Sequence, residues 1–251
     1  MGGSYSPGCH GAMPVLNLQP IAEAALQFVS PHATVGLGTG SAASAFIRAL
    51  GERVQAGFPV RGLPTSVESE RLARQFGIPL IDLEQIDRLD LAVDGADEVD
   101  PHLNLIKGYG GALLREKVVA AAAKRLIILV GAEKLVPALG TRGKLPVEVV
   151  PFAWSFCQRE LARHGLVSQV RMRQQADAEQ PFLTDNGNWI LDCQIGPLDE
   201  VCELESRLRG IPGVVGTGLF LTFADDVLVQ HADHIEHRQR SHLQQLCQSE
   251  S

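Results

Sequence analysis

Short runs of β-branched and aliphatic residues alternate with amphipathic stretches from about residue 15 to residue 142. This alternation is typical of βαβ units, which build an open and mostly parallel sheet flanked by helices, as in Rossmann-like α/β folds. The continuous apolar run LIILV at 126–130 predicts a central strand, because a parallel strand is covered on both faces. We predict further strands at 33–37, 60–65, 79–83 and 89–93, and helices at 21–29, from 42 onwards, at 68–76 and at 111–124.

The pattern changes after Lys144, where strand-like and helical stretches follow in the order β-α-β-β-α-β of a ferredoxin-like unit. Asp185, Asn186 and Gly187 lie between its two middle strands, where a tight turn favours residues that tolerate positive φ. The apolar run at 227–229 is expected to return to the first sheet. We therefore expect four segments: a flexible leader (1–14), a main α/β catalytic domain (15–143 with 219–237), a smaller α+β domain (144–218) and a polar tail (238–251).

Composition narrows the class of protein. With 251 residues and 45% hydrophobic content, the chain can form one substantial core or a main domain with a smaller one. The net charge of −7 argues against nucleic acid as a partner. No apolar run approaches the roughly eighteen residues of a membrane span, and the leader lacks a signal-peptide pattern. Five widely spaced cysteines without a CxxC pair favour reduced thiols and a cytoplasmic location.

A glycine-rich segment, GLGTGS, stands directly between a predicted strand and a predicted helix. Bare backbone N–H groups and the helix dipole make such a position suitable for binding a phosphate. Thr39 and Ser41 can add hydroxyl donors around Gly40, although Ser41 can equally serve as a helix N-cap. The alternative is a tight turn that needs glycine and binds nothing.

A dinucleotide-binding fold is the main rival for this segment. That fold places a carboxylate about 20 residues further on, at the end of the second strand, to hold ribose hydroxyls. The corresponding stretch here reads VRGLPTS and contains no acid. The sequence therefore favours a phosphomonoester over a nicotinamide cofactor.

Two acids three residues apart, Asp94 and Asp97, follow the apolar stretch LDLAV. They fall at the carboxyl end of a strand, where open α/β sheets bind ligands. Capping of a following turn and a magnesium site are the alternatives, since paired aspartates beside a phosphate also suit Mg²⁺.

A third segment, KGYGG, begins at Lys107 and leads into the helical stretch ALLREK, which contains Glu116. Lys107 can stabilise negative charge on a substrate oxygen, and Glu116 is predicted to lie one turn into the helix beside the same loop. An acid near a helix N-terminus also compensates the helix dipole, so the position of Glu116 alone does not decide its role.

Together these segments supply a phosphate cradle, a proton acceptor, and charged partners for two adjacent oxygens. Aldose–ketose isomerisation needs these three features, because a proton moves between neighbouring carbons through an enediolate. Fixed donors must stabilise the charge of that intermediate.

Six motifs in order resemble the ribose-5-phosphate isomerase A family: GLGTGSAASAF, DGADEVD, KGYGGALLREK, EKLVPALG, LPVEVVPFA and TDNGNWILD. The similarity covers essentially residues 20–230. The resemblance implies a two-domain subunit of a homodimer or homotetramer that interconverts ribose 5-phosphate and ribulose 5-phosphate in the pentose phosphate pathway. It also implies that the small-molecule sugar phosphate is converted without a metal or an organic cofactor.

The resemblance also implies roles for individual residues. Glu116 is the expected general base, and Lys107 is expected at the reacting oxygens. Asp94 and Asp97 are expected at the sugar hydroxyls, where one of them assists ring opening. The remaining expected substrate-binding residues are Thr39, Gly40, Ser41 and Ala42 at the phosphate, Gly95 and Ala96 between the aspartates, Gly108, Tyr109 and Gly110 along the wall, and Lys134 in the GAEK segment.

The chain departs from the family pattern at two places. Ala42 stands where the family commonly has threonine, and Leu18 and Gln19 stand in the region where many members carry a lysine. Both changes remove a donor to the phosphate, and a hydrogen bond to a charged group is worth about 1.5 to 3 kcal/mol. We therefore expect a raised KM rather than a lost kcat, unless Arg48 or another cation compensates.

Two further hypotheses come from the sequence. Related folds serve as sugar-phosphate sensors in transcription regulators, but the leader is too short for a helix-turn-helix.

The spacing of His231, His234 and His237 suggests a metal site, but no carboxylate or cysteine completes a ligand set of known spacing. A solvated tail is expected there.

Overall fold

The computed structural model describes residues 17–163, 167–176 and 178–240. Its α-helices are α1 (Gln19–Leu26), α2 (Ser41–Gln55), α3 (Val67–Gln75), α4 (Leu113–Ala122), α5 (Trp154–Arg163) and α6 (Val201–Arg209). Its strands are β1 (Thr34–Leu37), β2 (Arg61–Pro64), β3 (Leu91–Gly95), β4 (Glu98–Val99), β5 (Leu105–Ile106), β6 (Leu126–Gly131), β7 (Lys144–Val149), β8 (Gln169–Met172), β9 (Gln174–Gln175), β10 (Ala178–Pro181), β11 (Trp189–Gln194), β12 (Val214–Thr217), β13 (Leu219–Phe220), β14 (Asp226–Gln230) and β15 (Ile235–Gln239). The leader predicted at 1–14 and most of the predicted tail lie outside the described residues.

The main sheet has six strands in the order β15-β14-β6-β3-β1-β2. All neighbouring pairs are parallel except β14 with β15, which form an antiparallel hairpin at one edge. Every residue of β1 and β6 is buried, as expected for central parallel strands whose two faces are covered by helices and loops. The predicted open α/β sheet and the return of residues 227–229 to it are confirmed.

The second sheet has four strands in the order β12-β7-β11-β8, all paired antiparallel. With α5 and α6 in the connections, the chain order is β-α-β-β-α-β, so the predicted ferredoxin-like unit is confirmed. Its strands fall between residues 144 and 217. The exact division of the chain into two domains stays a prediction.

Three hydrophobic clusters account for the core. On one face of the main sheet, α1 and α2 contribute Ile21 and Phe46, and on the other face α4 packs Val119 near Phe220. The third cluster lies between the four-strand sheet and its helices α5 and α6 and includes Cys157 and Leu204. Helix α4 also contacts β12, so the helix is held between the two sheets.

The structure differs from the sequence analysis at three places. Residues 79–83 form no strand; Leu80 makes a single bridge to Gly62, and a 3-10 helix follows at Leu83–Gln85, where the Asp82 and Gln85 side chains form a capping box. The short hairpin of β9 and β10 stands between the two middle strands of the smaller unit, which the sequence did not predict. Finally, β15 extends to Gln239, past the predicted start of the tail at 238.

The three histidines lie in the β14–β15 hairpin rather than in the solvated tail that the sequence analysis expected. His231 and His234 belong to the β14–β15 connection, where their rings stack with centroids 4.5 Å apart, and His237 lies in β15. The histidines pair with Glu236, Asp233 and Asp226, respectively. Within the described part of the chain, no group of three or more His, Cys, Asp or Glu residues could hold a metal ion, and no helix has the length and apolar character needed to cross a membrane.

Candidate active site

A cleft of about 340 Å³ opens at the carboxyl ends of the neighbouring strands β1, β3 and β6. This edge of an open α/β sheet is where such folds bind ligands, because the loops that leave the strands converge there. The cleft combines the glycine segment, the aspartate segment and the lysine segment that the sequence singled out. Its lining residues are Leu18, Thr39, Gly40, Ser41, Ala42, Gly95, Ala96, Asp97, Lys107, Gly108, Gly110, Glu116, Leu129, Val130, Gly131, Glu133 and Lys134.

The glycine segment connects β1 to α2 and needs glycine for two different reasons. A Cβ at Gly38 would lie 2.3 Å from Asp94 Oδ1, so no side chain fits between these two strand ends. Gly40 has φ +95°, a left-handed conformation that disfavours other residues. Helix α2 begins at Ser41 without a side-chain cap, so the N–H groups of its first turn lack that partner.

The hydroxyl of Thr39 is already engaged. Thr39 Oγ1 lies 2.8 Å from both Thr65 Oγ1 and Ser66 Oγ, and the Thr39 N–H donates to Asp94 Oδ1. These contacts connect the glycine segment to Ser66, which caps α3. Thr39 also lines the cleft, and its expected place at the phosphate stays a prediction.

Asp94 lies at the end of β3, behind the wall of the cleft. Its Oδ1 accepts hydrogen bonds from the N–H groups of Thr39 and Gly95, and its Oδ2 lies 3.2 Å from Lys107 Nζ. Because Asp94 is buried and does not line the cleft, its placement suits the support of Lys107 rather than contact with a sugar hydroxyl.

Lys107 follows β5 and extends into the floor of the cleft, where it is only 3% exposed. Its Nζ donates to the carbonyl oxygen of Gly95 at 2.5 Å and lies 3.4 Å from Glu116 Oε2. Burial works against the charged ammonium, but Asp94, Glu116 and Asp97 outweigh this effect and raise the pKa of Lys107. Lys107 is therefore a fixed buried cation at neutral pH.

Glu116 lies in the first turn of α4 and is 6% exposed. Burial raises the pKa of its carboxyl to about 8, with a smaller contribution from Asp94 and Asp97, although Lys107 acts in the opposite direction. Among the described residues, Oε2 of Glu116 has no hydrogen-bond partner. A buried carboxyl in a cleft with its pKa raised toward neutral pH is suited to accept and return a proton.

Asp97 and Tyr109 were both predicted in the site, but only Asp97 lines the cleft. Asp97 Oδ2 accepts the N–H of Tyr109 at 2.9 Å, which orients the carboxylate. The Tyr109 hydroxyl donates to the Lys144 carbonyl, and its ring lies 4.1 Å from Lys144 Nζ. Its side chain therefore points toward the four-strand sheet, and the expected contact of Tyr109 with substrate stays a prediction.

Lys134 lies in a short 3-10 helix at Ala132–Lys134, directly after β6, and lines the cleft as expected. Leu18, which stands in the region where many members carry a lysine, also lines the cleft. Sequence reasoning missed four lining residues, Leu129, Val130, Gly131 and Glu133. The first three end β6, and the rule that ligands bind beyond the carboxyl ends of strands would have indicated them. Arg48 is exposed and does not line the cleft, so it does not compensate for Ala42.

The fold and the cleft together define a class of protein, an α/β enzyme with a buried carboxyl and a buried lysine in a cleft at the carboxyl ends of its strands. The model of the family Ribose 5-phosphate isomerase A (phosphoriboisomerase A) matches residues 61–234, more than half of the chain. The chain belongs to the ribose 5-phosphate isomerase A family.

Curated relatives agree with this assignment over most of the chain. A ribose-5-phosphate isomerase A from Gloeobacter violaceus is 50% identical over 219 residues, which cover 87% of this chain and 94% of the relative. One from Chloroflexus aurantiacus is 47% identical and covers 86% of this chain and 90% of the relative.

Solved structures show the same fold. The ribose 5-phosphate isomerase A of Methanocaldococcus jannaschii has a TM-score of 0.84 at 39% identity, covering 88% of this chain and 97% of that one. A D-ribose-5-phosphate isomerase in complex with phospho-erythronic acid has a TM-score of 0.85 at 39% identity, covering 89% and 97%. The predicted family, fold class and isomerase activity are confirmed, and the sensor and nicotinamide alternatives are set aside.

Proposed function

We propose that Glu116 is the general base of the ribose 5-phosphate isomerisation. The carboxylate takes the proton from C2 of the open-chain aldose and returns it to C1, while the C2 hydroxyl proton passes to O1. The intermediate is an enediolate whose charge lies on O1 and O2. The observation that carries this assignment is the buried Glu116 carboxyl in the cleft, which has a raised pKa and lies 3.4 Å from Lys107 Nζ.

Lys107 is proposed to stabilise the enediolate oxygens. A buried cation held in place by Asp94 and the Gly95 carbonyl needs no reorganisation when charge develops on the substrate. Asp94 is thus proposed to orient Lys107 rather than to contact the sugar. Asp97, which lines the same wall, is proposed to contact the sugar hydroxyls and assist ring opening.

The phosphate is proposed to bind at the N-terminus of α2. Gly40, Ser41 and Ala42 line the cleft there, and a helix N-terminus favours an anion through its free N–H groups and its dipole. Lys134 lines the same cleft and can add a positive charge. A solved relative forms a complex with phospho-erythronic acid, which supports a phosphorylated ligand for this chain. Gly95, Ala96, Gly108 and Gly110 are proposed to form the wall along the sugar.

A coupled assay of ribose 5-phosphate turnover tests the base. The Glu116→Gln variant keeps the size of the side chain but cannot accept the proton, so kcat should fall by roughly 10²- to 10⁴-fold. Glu70→Gln is the matched control, because Glu70 is a surface residue of α3 paired with Arg74. Full activity in Glu116→Gln would exclude Glu116 as the base.

The oligomeric state is also a proposal. We propose a homodimer or homotetramer, supported by the large apolar side chains that the four-strand unit exposes: Phe152 is fully exposed, and Phe156 and Val215 are partly exposed. Light scattering of the purified protein, compared with Phe152→Ser, tests the assembly.

A cytoplasmic location is proposed as well, because none of the described cysteines Cys157, Cys193 and Cys202 is paired.

A further inference from the structure

Glu116 lies on α4, so a rotation of this helix about its own axis changes the position of the Glu116 carboxylate in the cleft. A rotation of roughly 10° would move a carboxylate at the helix surface by about 1 Å. A displacement of about 1 Å in an active site can cost on the order of 10²-fold in rate. The N-cap residue of α4, Ala112, makes no side-chain hydrogen bond, so the helix is not fixed by its own cap.

Arg115, the residue before Glu116, anchors α4 on one side. Its Nε donates to Asn186 Oδ1, and its second guanidinium nitrogen donates to the Asp185 carbonyl oxygen, both at 2.9 Å. These acceptors belong to the tight turn between β10 and β11. The contact therefore joins α4 to the smaller unit at a position 70 residues away in sequence.

The same turn is itself held firmly. Buried Glu148 of β7 accepts hydrogen bonds from Thr184 Oγ1 and Asn188 Nδ2, both at 3.0 Å, from either side of the turn. Asp185 Oδ2 accepts the N–H of Val67 at 2.8 Å, at the first residue of α3. Arg115 thus contacts a turn that hydrogen bonds connect to β7 on one side and to the start of α3 on the other.

Lys117, the residue after Glu116, anchors α4 on the other side. Its Nζ donates to the Leu219 carbonyl at 2.8 Å and lies 3.2 Å from both Thr217 Oγ1 and Glu205 Oε1. The ammonium also lies 4.8 Å from the centroid of the Phe220 ring. Burial lowers the pKa of Lys117, and Glu205 opposes this effect. The lysine is only 15% exposed, so its contacts are well shielded from solvent.

Residues on either side of Glu116 project about 100° away from it around the helix, in opposite directions. Anchors at both positions therefore resist rotation of α4 in either sense. We propose that Arg115 and Lys117 are positioning residues that fix the rotation of α4 and so aim Glu116 at the substrate and Lys107. This inference rests on the proposed role of Glu116 as the base.

The test compares Arg115→Gln, Lys117→Met and the double variant with the wild-type chain. Methionine keeps the apolar stem of Lys117 over Phe220 while removing its three donors. Each single variant should lower kcat by roughly ten- to a hundred-fold while KM changes less than about two-fold, because phosphate binding is untouched. The acid limb of the kcat/KM profile should move to lower pH, because Glu116 would become less buried. Arg115→Lys should recover part of the loss.

Arg74→Gln and Lys124→Met are the matched controls, since each removes an exposed cation of a surface ion pair and should leave kcat unchanged. Melting temperatures of all variants separate positioning from folding. Wild-type kcat in both single variants would overturn the inference, and so would losses that follow the melting temperature with an unmoved acid limb. Full activity in Glu116→Gln would instead overturn the base itself, so the two failures are distinguishable.

Discussion

Lys107 Nζ lies 3.4 Å from Glu116 Oε2, and both side chains are more than nine-tenths buried. The pair joins a carboxyl whose pKa is raised by burial to an ammonium whose pKa is raised by neighbouring carboxylates despite burial. The raised pKa of Lys107 favours the charged ammonium, and the raised pKa of Glu116 favours proton exchange nearer neutral pH. This difference fits the two roles proposed for the pair, charge stabilisation by Lys107 and proton transfer by Glu116.

The pH dependence of the reaction should show the titration of Glu116. A base acts in its ionised form, so kcat/KM should rise with pH and level off above about 8, the value to which burial raises the Glu116 pKa. Below that value kcat/KM should fall about tenfold per pH unit. Initial rates from pH 5 to 10 measure this limb. The residual activity of Glu116→Gln should lack it, and an unchanged limb in that variant would assign the titration to another group.

Removing the charge of Lys107 should lower both activity and stability. In Lys107→Met the enediolate loses its cation, and loss of one such donor costs about 10²- to 10³-fold in kcat. The buried Asp94 would also lose its partner, which destabilises a fold by about 3 to 5 kcal/mol. Steady-state kinetics and urea unfolding measure the two effects.

A second variant separates these two effects of Lys107. Lys107→Met combined with Asp94→Asn removes both charges, so much of the stability should return while kcat stays low. Recovery of kcat in the double variant would contradict the proposed role of Lys107.

The sequence predicted the segments of the site well, because each segment follows a strand and strand ends converge at one edge of a sheet. It could not predict side-chain directions that depend on distant partners. The Thr39 hydroxyl contacts Thr65 and Ser66, which directly follow β2. The Tyr109 hydroxyl donates to the Lys144 carbonyl. Lys117 pairs with Glu205, which lies 88 residues further along the sequence. Local patterns contain no information about such contacts, which only the assembled fold creates.

Replacing Ala42 should improve substrate binding. Ala42 lies in the first turn of α2 and lines the cleft, so a hydroxyl in Ala42→Thr can add a donor to the phosphate. One such hydrogen bond, at about 1.5 kcal/mol, should lower KM roughly tenfold with little change in kcat. Ala42→Val is the matched control, because valine has the shape of threonine without the hydroxyl. Equal KM values for the two variants would show that the hydroxyl makes no contact with substrate.

The far end of the main sheet offers a test of stability that does not involve the site. Asp226, at the start of β14, is fully buried and accepts hydrogen bonds from Arg125 at 2.6 and 2.9 Å and from His237 at 2.7 Å. Burial alone would raise the pKa of Asp226, but these partners outweigh it and lower the pKa. Its ionised form is therefore favoured in the folded state. Asp226→Asn should reduce the free energy of unfolding at pH 7 by about 1 to 3 kcal/mol.

The sign of the pH dependence follows from the lowered pKa of Asp226. The stabilisation is present above the ordinary aspartate pKa of about 3.9 and is lost as pH falls through the lower folded value. The difference in unfolding free energy between wild type and Asp226→Asn should therefore shrink as pH falls through the folded-state pKa of Asp226. Asp225 is a matched control, because burial raises its pKa. Its ionised form is disfavoured by folding, so the stability of Asp225→Asn relative to wild type should instead increase as pH rises. The same sign for both variants would contradict the role assigned to Arg125 and His237.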